Sequence, residues 1–102
     1  AEIARVSGAS LDRLVTVARA CADLTIEIQG HTDARGRRMA NLALSRERAD
    51  AVKNYLVERG LSADRLVAVG FGPDRPVASN STENGRAKNR RIEFRVLRGE
   101  TH

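Results

Sequence analysis

The sequence predicts a two-layer α/β sandwich, a mixed sheet covered by helices on one face and wet on the other. Two observations carry this. Leu24–Gln29 and Arg91–Val96 alternate apolar with polar residues, which is how a strand with one dry face is written. Around and between them lie segments whose apolar residues recur at helical spacing, so helices connect strands and pack back over them. With 102 residues, 41% hydrophobic and 30% charged, the chain reads as a single globular domain over 1–102 and not as a disordered segment. A chain of this length can bury roughly two thirds of its unfolded surface.

The elements follow in order. Ser10 reads as an N-cap, with Asp12 in the first turn. Leu11, Leu14, Val15, Ala18 and Cys21 then recur at helical spacing, predicting a helix over 10–22 with Cys21 as a buried thiol on its apolar stripe. Leu24, Ile26 and Ile28 alternate with Thr25, Glu27 and Gln29 in a strand that Gly30 ends. A basic loop from His31 to Arg38 leads into a long helix over 39–59, stopped by Gly60. Residues 61–65 form a turn, and Leu66–Gly70 is an apolar run short enough for a buried strand. The glycines, prolines and asparagines of 71–88 predict a loop with one helical turn near Ser81–Asn84. The last strand turns Ile92, Phe94 and Val96 inward and Arg91, Glu93 and Arg95 outward. Three strands make a thin sheet for two helices, so a first strand is expected before Ala1.

Composition narrows the chemistry. Eighteen Lys and Arg against thirteen Asp and Glu leave +5, which favours an anionic partner without naming it. Phe71, Phe94 and Tyr55 are the only aromatic residues, too few for a protein that stacks bases on rings, so no nucleic acid is expected as a partner. The single cysteine excludes an intramolecular disulfide and a cysteine-based zinc site. No apolar run reaches the roughly 20 residues of a membrane span. His31 has no second ligand at metal spacing and reads as a packed loop residue, and Ser45 sits inside a helix without a base. No catalytic residue, metal ligand or cofactor loop is thus expected, and the chain reads as no enzyme.

The long helix is the informative element. At about 100° per residue from Leu44, Tyr55, Ala51 and Val52 define an apolar sector, and Arg48 (about 40°) and Asn41 (about 60°) fall within it. A guanidinium there requires a carboxylate, and Asp33 in the preceding loop is nearest in sequence. Asp33 and Arg48 would be either a salt bridge pinning loop to helix, or a receptor for a zwitterion, ammonium on Asp33 and carboxylate in the Arg48 fork. Pattern alone leaves both open.

Longer spacings are more specific. Thr32-Asp33, Asn41, Leu44-Ser45, Arg48-Ala49 and Val52 form T-D-x7-N-x2-L-S-x2-R-A-x2-V. Gly30-His31 precedes it, and Gly70-Phe71-Gly72, Pro76, Asn80, Gly85-Arg86-Ala87 and Asn89-Arg90-Arg91-Ile92-Glu93 follow. Over residues 24–97 this resembles the OmpA C-terminal-like domain, the peptidoglycan-associating module of OmpA, Pal and MotB-type proteins. The resemblance implies a βαβαβ-type sandwich whose first strand is truncated here. It also implies non-catalytic binding of the diaminopimelate in the peptidoglycan peptide stem, with Asp33 and Arg48 clasping the ligand. Asn41 and Arg90 would support them, and Thr32 and the N–H groups near Ala34 would add hydrogen bonds. The place implied is the periplasm or cell envelope, with outer-membrane association foremost and a membrane anchor outside this chain. A flagellar-stator anchor is the alternative within the family, a basic nucleic-acid-binding domain the alternative outside it, and a homodimer is left open. Arg35, Arg37 and Arg38 make the loop more basic than the resemblance requires, and Arg91 is expected to point outward with Glu93.

Overall fold

The computed structural model describes residues 8–21 and 23–98. Helix α1 (Gly8–Ala20) leads into strand β1 (Leu24–His31), and helix α2 (Arg38–Glu58) is followed by a 3-10 turn (Ala63–Arg65). Strand β2 (Leu66–Gly72), helix α3 (Glu83–Asn89) and strand β3 (Arg91–Arg98) complete the order. The sheet runs β2-β1-β3, with β1 parallel to β2 and antiparallel to β3, so it is mixed as expected. The expected first strand falls on residues outside those described.

One face of the sheet holds the core. Ile26 and Ile28 of β1, Leu66 and Ala68 of β2 and Phe94 of β3 meet Leu14, Val15 and Ala18 of α1 and Ala49 and Leu56 of α2. Both helices therefore lie on one face. They are tied by the Tyr55 hydroxyl, which donates to Asp12 Oδ1 at 2.9 Å. The Arg65 guanidinium donates to the carbonyls of Ala18 (2.8 Å), Cys21 (2.6 Å) and Leu24 (2.9 Å), satisfying acceptors that the end of α1 leaves open. The helix starts at Gly8, so Ser10 lies inside it and is not its N-cap, and Asp12 instead serves α2. Cys21 lies just past the helix end and is half-buried, not a core thiol.

How α2 sits on the sheet depends on missing side chains. Along the core face β1 reads Leu24, Ile26, Ile28, Gly30 and β2 reads Leu66, Ala68, Gly70, Gly72, both tapering to nothing. A Cβ on Gly30 would lie 2.1 Å from the Ser45 carbonyl oxygen, and one on Gly70 would lie 2.6 Å from the Arg46 nitrogen. The helix backbone at 42–46 therefore rests directly on strand backbone, and its tail rides over Ile26 and Leu66. Ser45 Oγ closes the contact, donating to the Leu42 carbonyl (2.9 Å) and accepting from the Gly72 N–H (2.9 Å).

This explains why the expected apolar sector of α2 is displaced. Its buried residues are Ser45, Ala49 and Leu56, about 120° around from Leu44. Leu44 is 37% exposed, Ala51 and Arg48 are exposed, and Asn41 is half-buried at the boundary. Large apolar residues mark a helix face that packs on side chains; small ones mark a face that packs on backbone. At the far end Gly60 (φ +103°) closes α2 with a Schellman motif, Gly60 N–H to Val57 O and Leu61 N–H to Leu56 O.

Three further boundaries differ from expectation. β2 continues to Gly72 and β3 to Arg98. The helical turn expected at 81–84 is instead the helix Glu83–Asn89, N-capped by Thr82, whose Oγ1 accepts from the Gly85 N–H at 3.0 Å. Its sequence is wholly polar apart from Ala87 and Gly85, so hydrophobic periodicity could not reveal it. Gly85 is required there because a Cβ would come 1.8 Å from the Ser79 carbonyl oxygen.

Candidate functional site

The site forms where the backbone leaves β1, at the end of the sheet where His31 pairs with both Gly72 and Arg91. The Thr32 N–H donates to the Gly72 carbonyl at 2.9 Å, so the two parallel strands release the chain together. Asp33 follows, its side chain only 8% exposed. Its Oδ1 accepts the Arg35 N–H (2.9 Å), and its Oδ2 accepts Arg90 Nη1 (2.7 Å) and Arg35 Nη2 (3.4 Å). Burial pushes the Asp33 carboxyl upward, but the Arg90 hydrogen bond, the Arg35 N–H and the Arg35 charge outweigh it and hold the group below its ordinary range.

Three asparagines shape the loops around this carboxylate. Asn41, in the first turn of α2, donates from Nδ2 to the carbonyls of Arg35 (2.7 Å) and Asp33 (3.4 Å). Asn89, fully buried at the end of α3, accepts on Oδ1 from the Val77 N–H (2.7 Å) and Ala78 N–H (3.0 Å). It also donates to the Ala78 carbonyl (3.0 Å) and to Asn80 Oδ1 (2.8 Å). The same Asn80 oxygen accepts the Ala34 N–H at 3.2 Å, so the β2–α3 loop grips the Asp33 loop. Arg90 then bridges two carboxylates, Nη1 on Asp33 and Nη2 on Glu83 Oε2 at 2.7 Å. The Glu83 and Asp33 bonds hold Arg90 firmly protonated, and Arg90 in turn depresses the Glu83 carboxyl.

Of the two readings left open for Asp33 and Arg48, the direct salt bridge is not formed: the buried carboxylate is neutralised by Arg90 and Arg35 instead. Arg48 is exposed, two turns along α2 from Asn41, and makes no ion pair among the described residues. Asn41 and Arg90 are thus brought into direct contact with Asp33, whereas Arg48 is not joined to them by any hydrogen bond or ion pair among the described residues. Thr32 is buried, its hydroxyl donating to the Asp33 carbonyl at 2.9 Å, and the Ala34 N–H is held by Asn80. A ligand would reach either only by displacing those bonds. Asn80 and Glu83 are the site residues that sequence reasoning passed over. Asn80 belongs to the quoted spacing, which was its only signal, and Glu83 had none.

Two neighbouring expectations change. Arg91 does not point into solvent: its side chain is 3% exposed, pairs with Glu93, and donates to the carbonyls of Asn89 (3.1 Å) and Arg75 (2.9 Å). It lies on the helix-free face, but the loop after β2 covers that end. His31 lies on the same face, buried at the end of β1, stacked on Phe71 with ring centroids 5.4 Å apart, its Nε2 3.3 Å from Gln29 Oε1. It is therefore packed as read, but in a strand and not in a loop, and burial, then the Arg91 charge, lowers its pKa to about 4, leaving it uncharged at neutral pH. Among the described residues no group of three His, Cys, Asp or Glu could hold a metal ion.

The comparisons agree with this architecture. The OmpA family model matches residues 1–90. The peptidoglycan-binding protein ArfA of Mycobacterium bovis is 45% identical over 86 residues, covering 84% of this chain and 26% of that protein. This chain therefore spans about a quarter of that relative's length. The structure of the peptidoglycan-associated lipoprotein from Burkholderia pseudomallei superposes with a TM-score of 0.85 at 33% identity, covering 93% of this chain and 83% of that one. A MotB-like protein from Desulfovibrio vulgaris superposes with a TM-score of 0.74 at 30% identity, over 98% and 66% respectively. With the fold shared and most of its length inside the family's pattern, the chain belongs to the OmpA family.

Proposed function

We propose that this domain binds peptidoglycan non-covalently, through the diaminopimelate of the peptide stem, and holds an envelope protein to the cell wall. The observation that carries the reading is the division of charge at the site. Asp33 is a buried carboxylate held below its ordinary range, and α2 anchors its loop through Asn41. Two turns further along α2 the exposed Arg48 makes no ion pair among the described residues, so one helix joins the two charges that a ligand with both an ammonium and a carboxylate requires. The ammonium binds Asp33, sharing it with Arg90, and the carboxylate binds the Arg48 fork. Asn41 holds the loop that presents Asp33, and Thr32 and Ala34 set its shape. Turnover has no part in this mechanism. A few charge-assisted bonds at about 1.5–3 kcal/mol each, less the cost of association, give micromolar to millimolar affinity per site. Repetition along the polymer raises it by avidity.

The names of ArfA and of the Burkholderia lipoprotein support the wall as partner, and with it a periplasmic setting and a membrane attachment elsewhere in the protein. The MotB-like neighbour supports a second reading, a stator-type wall anchor using the same site. Pull-down with diaminopimelate-type sacculi, comparing wild type with Asp33→Ala and Arg48→Ala, tests the proposal. Both variants are expected to lose binding, and undiminished binding by both, while folded, refutes it.

A further inference from the structure

Arg90 is poised to compete with any cation for Asp33, and the structure shows what restrains it. Its guanidinium has two terminal nitrogens, a fork that closes readily on both oxygens of one carboxylate. Here only Nη1 reaches Asp33, at 2.7 Å on Oδ2, because Nη2 is drawn away by Glu83 Oε2 at 2.7 Å. Among the described residues Asp33 Oδ1 accepts one bond, from the Arg35 N–H, and so keeps acceptor capacity for an incoming donor. Glu83 is exposed at the start of α3, on an element separate from both Asp33 and α2, and contributes nothing to the core.

We infer that Glu83 is a positioning residue of the binding site. By holding Arg90 Nη2, it keeps Arg90 monodentate on Asp33 and leaves the Oδ1 edge open to the ammonium of a zwitterionic ligand. This rests on the reading that Asp33 receives that ammonium. Without Glu83 the freed Nη2 swings onto Asp33 Oδ1, the fork closes, and the ammonium must break a bidentate pair to enter. Glu83 therefore acts through Arg90 and not by touching the ligand.

The test is calorimetric titration of the whole chain with free meso-diaminopimelate, using wild type, E83Q, D33A, R90A and the E83Q/R90A double variant. An exposed charge contact of this kind changes affinity by roughly two- to fivefold, so E83Q is expected to weaken binding by that factor. Its melting temperature is expected to stay within about 3 °C of wild type, as for other surface substitutions. In the R90A background E83Q should have no effect, because nothing remains to be restrained. Wild-type or tighter binding by E83Q, alongside loss of binding by D33A, overturns the role of Glu83 and leaves the receptor reading intact. An E83Q effect that persists in R90A overturns it too, since the influence then bypasses Arg90. Full binding by D33A overturns the receptor reading itself.

Discussion

Replacing Asn89 with alanine tests whether the site is built by one buried carboxamide. Asn89 is fully buried and makes four hydrogen bonds, two received from the N–H groups of Val77 and Ala78 and two given to the Ala78 carbonyl and Asn80 Oδ1. Alanine removes all four and leaves three backbone groups seeking partners. At about 1 kcal/mol net per bond, with water recovering part of the loss in a half-exposed loop, the expected destabilisation is about 2–4 kcal/mol. For a domain of this size that is a fall in Tm of roughly 10–25 °C. Asn80→Ala removes only the bonds to Asn89 and to the Ala34 N–H, so about half that loss is expected. Urea denaturation of both variants, with m unchanged, measures the difference as a shift in Cm. A loss below about 1 kcal/mol for Asn89→Ala, or one no larger than for Asn80→Ala, would refute the account of this loop.

Other expectations follow from the same geometry. Gly30→Ala drives a methyl group to 2.1 Å from the Ser45 carbonyl, which must lift α2 off the sheet; about 3 kcal/mol or more of lost stability is expected, and a variant within about 1 kcal/mol of wild type contradicts the packing. Arg48→Ala removes an exposed guanidinium that makes no ion pair among the described residues, so its unfolding free energy should stay within about 0.5 kcal/mol of wild type while sacculus binding is lost. His31 is neutral and buried with a pKa near 4, against 6.5 in the unfolded chain. The unfolded state therefore takes up the proton first, so stability is full above about pH 6.5 and falls by about 3 kcal/mol as the pH drops to 4. Urea curves from pH 7 to pH 4 should show this loss in wild type and a flatter profile in His31→Phe; equal slopes would place the acid sensitivity elsewhere.

Much of the fold was legible because its strands have one dry face each. Leu24, Ile26 and Ile28 and Ile92, Phe94 and Val96 write that face as a two-residue period, and Gly60 marks the stop of α2 by the positive φ that a Schellman turn needs. The candidate residues Asp33, Asn41, Arg48 and Arg90 stand out as a spacing. Their relations do not. The face of α2 was misread because the helix packs on glycine backbone at Gly30 and Gly70, where the residues it buries are Ser45 and Ala49. A hydrophobicity pattern detects large side chains and is blind to contact made by their absence.

Residue patterning was enough to set the alternation of helices with one-sided strands, because each strand buries a single face. Only the tertiary structure decided which charges meet. Asp33 lies closer in sequence to Arg48, but the antiparallel return of β3 beside β1 places Arg91 opposite His31, and Arg90 thus beside the exit of the Asp33 loop. Pairing between residues 57 positions apart is a property of strand order, and local pattern carries no record of it. The same topology that occupies Asp33 leaves Arg48 exposed and without an ion pair among the described residues, because α2 turns its small residues to the sheet.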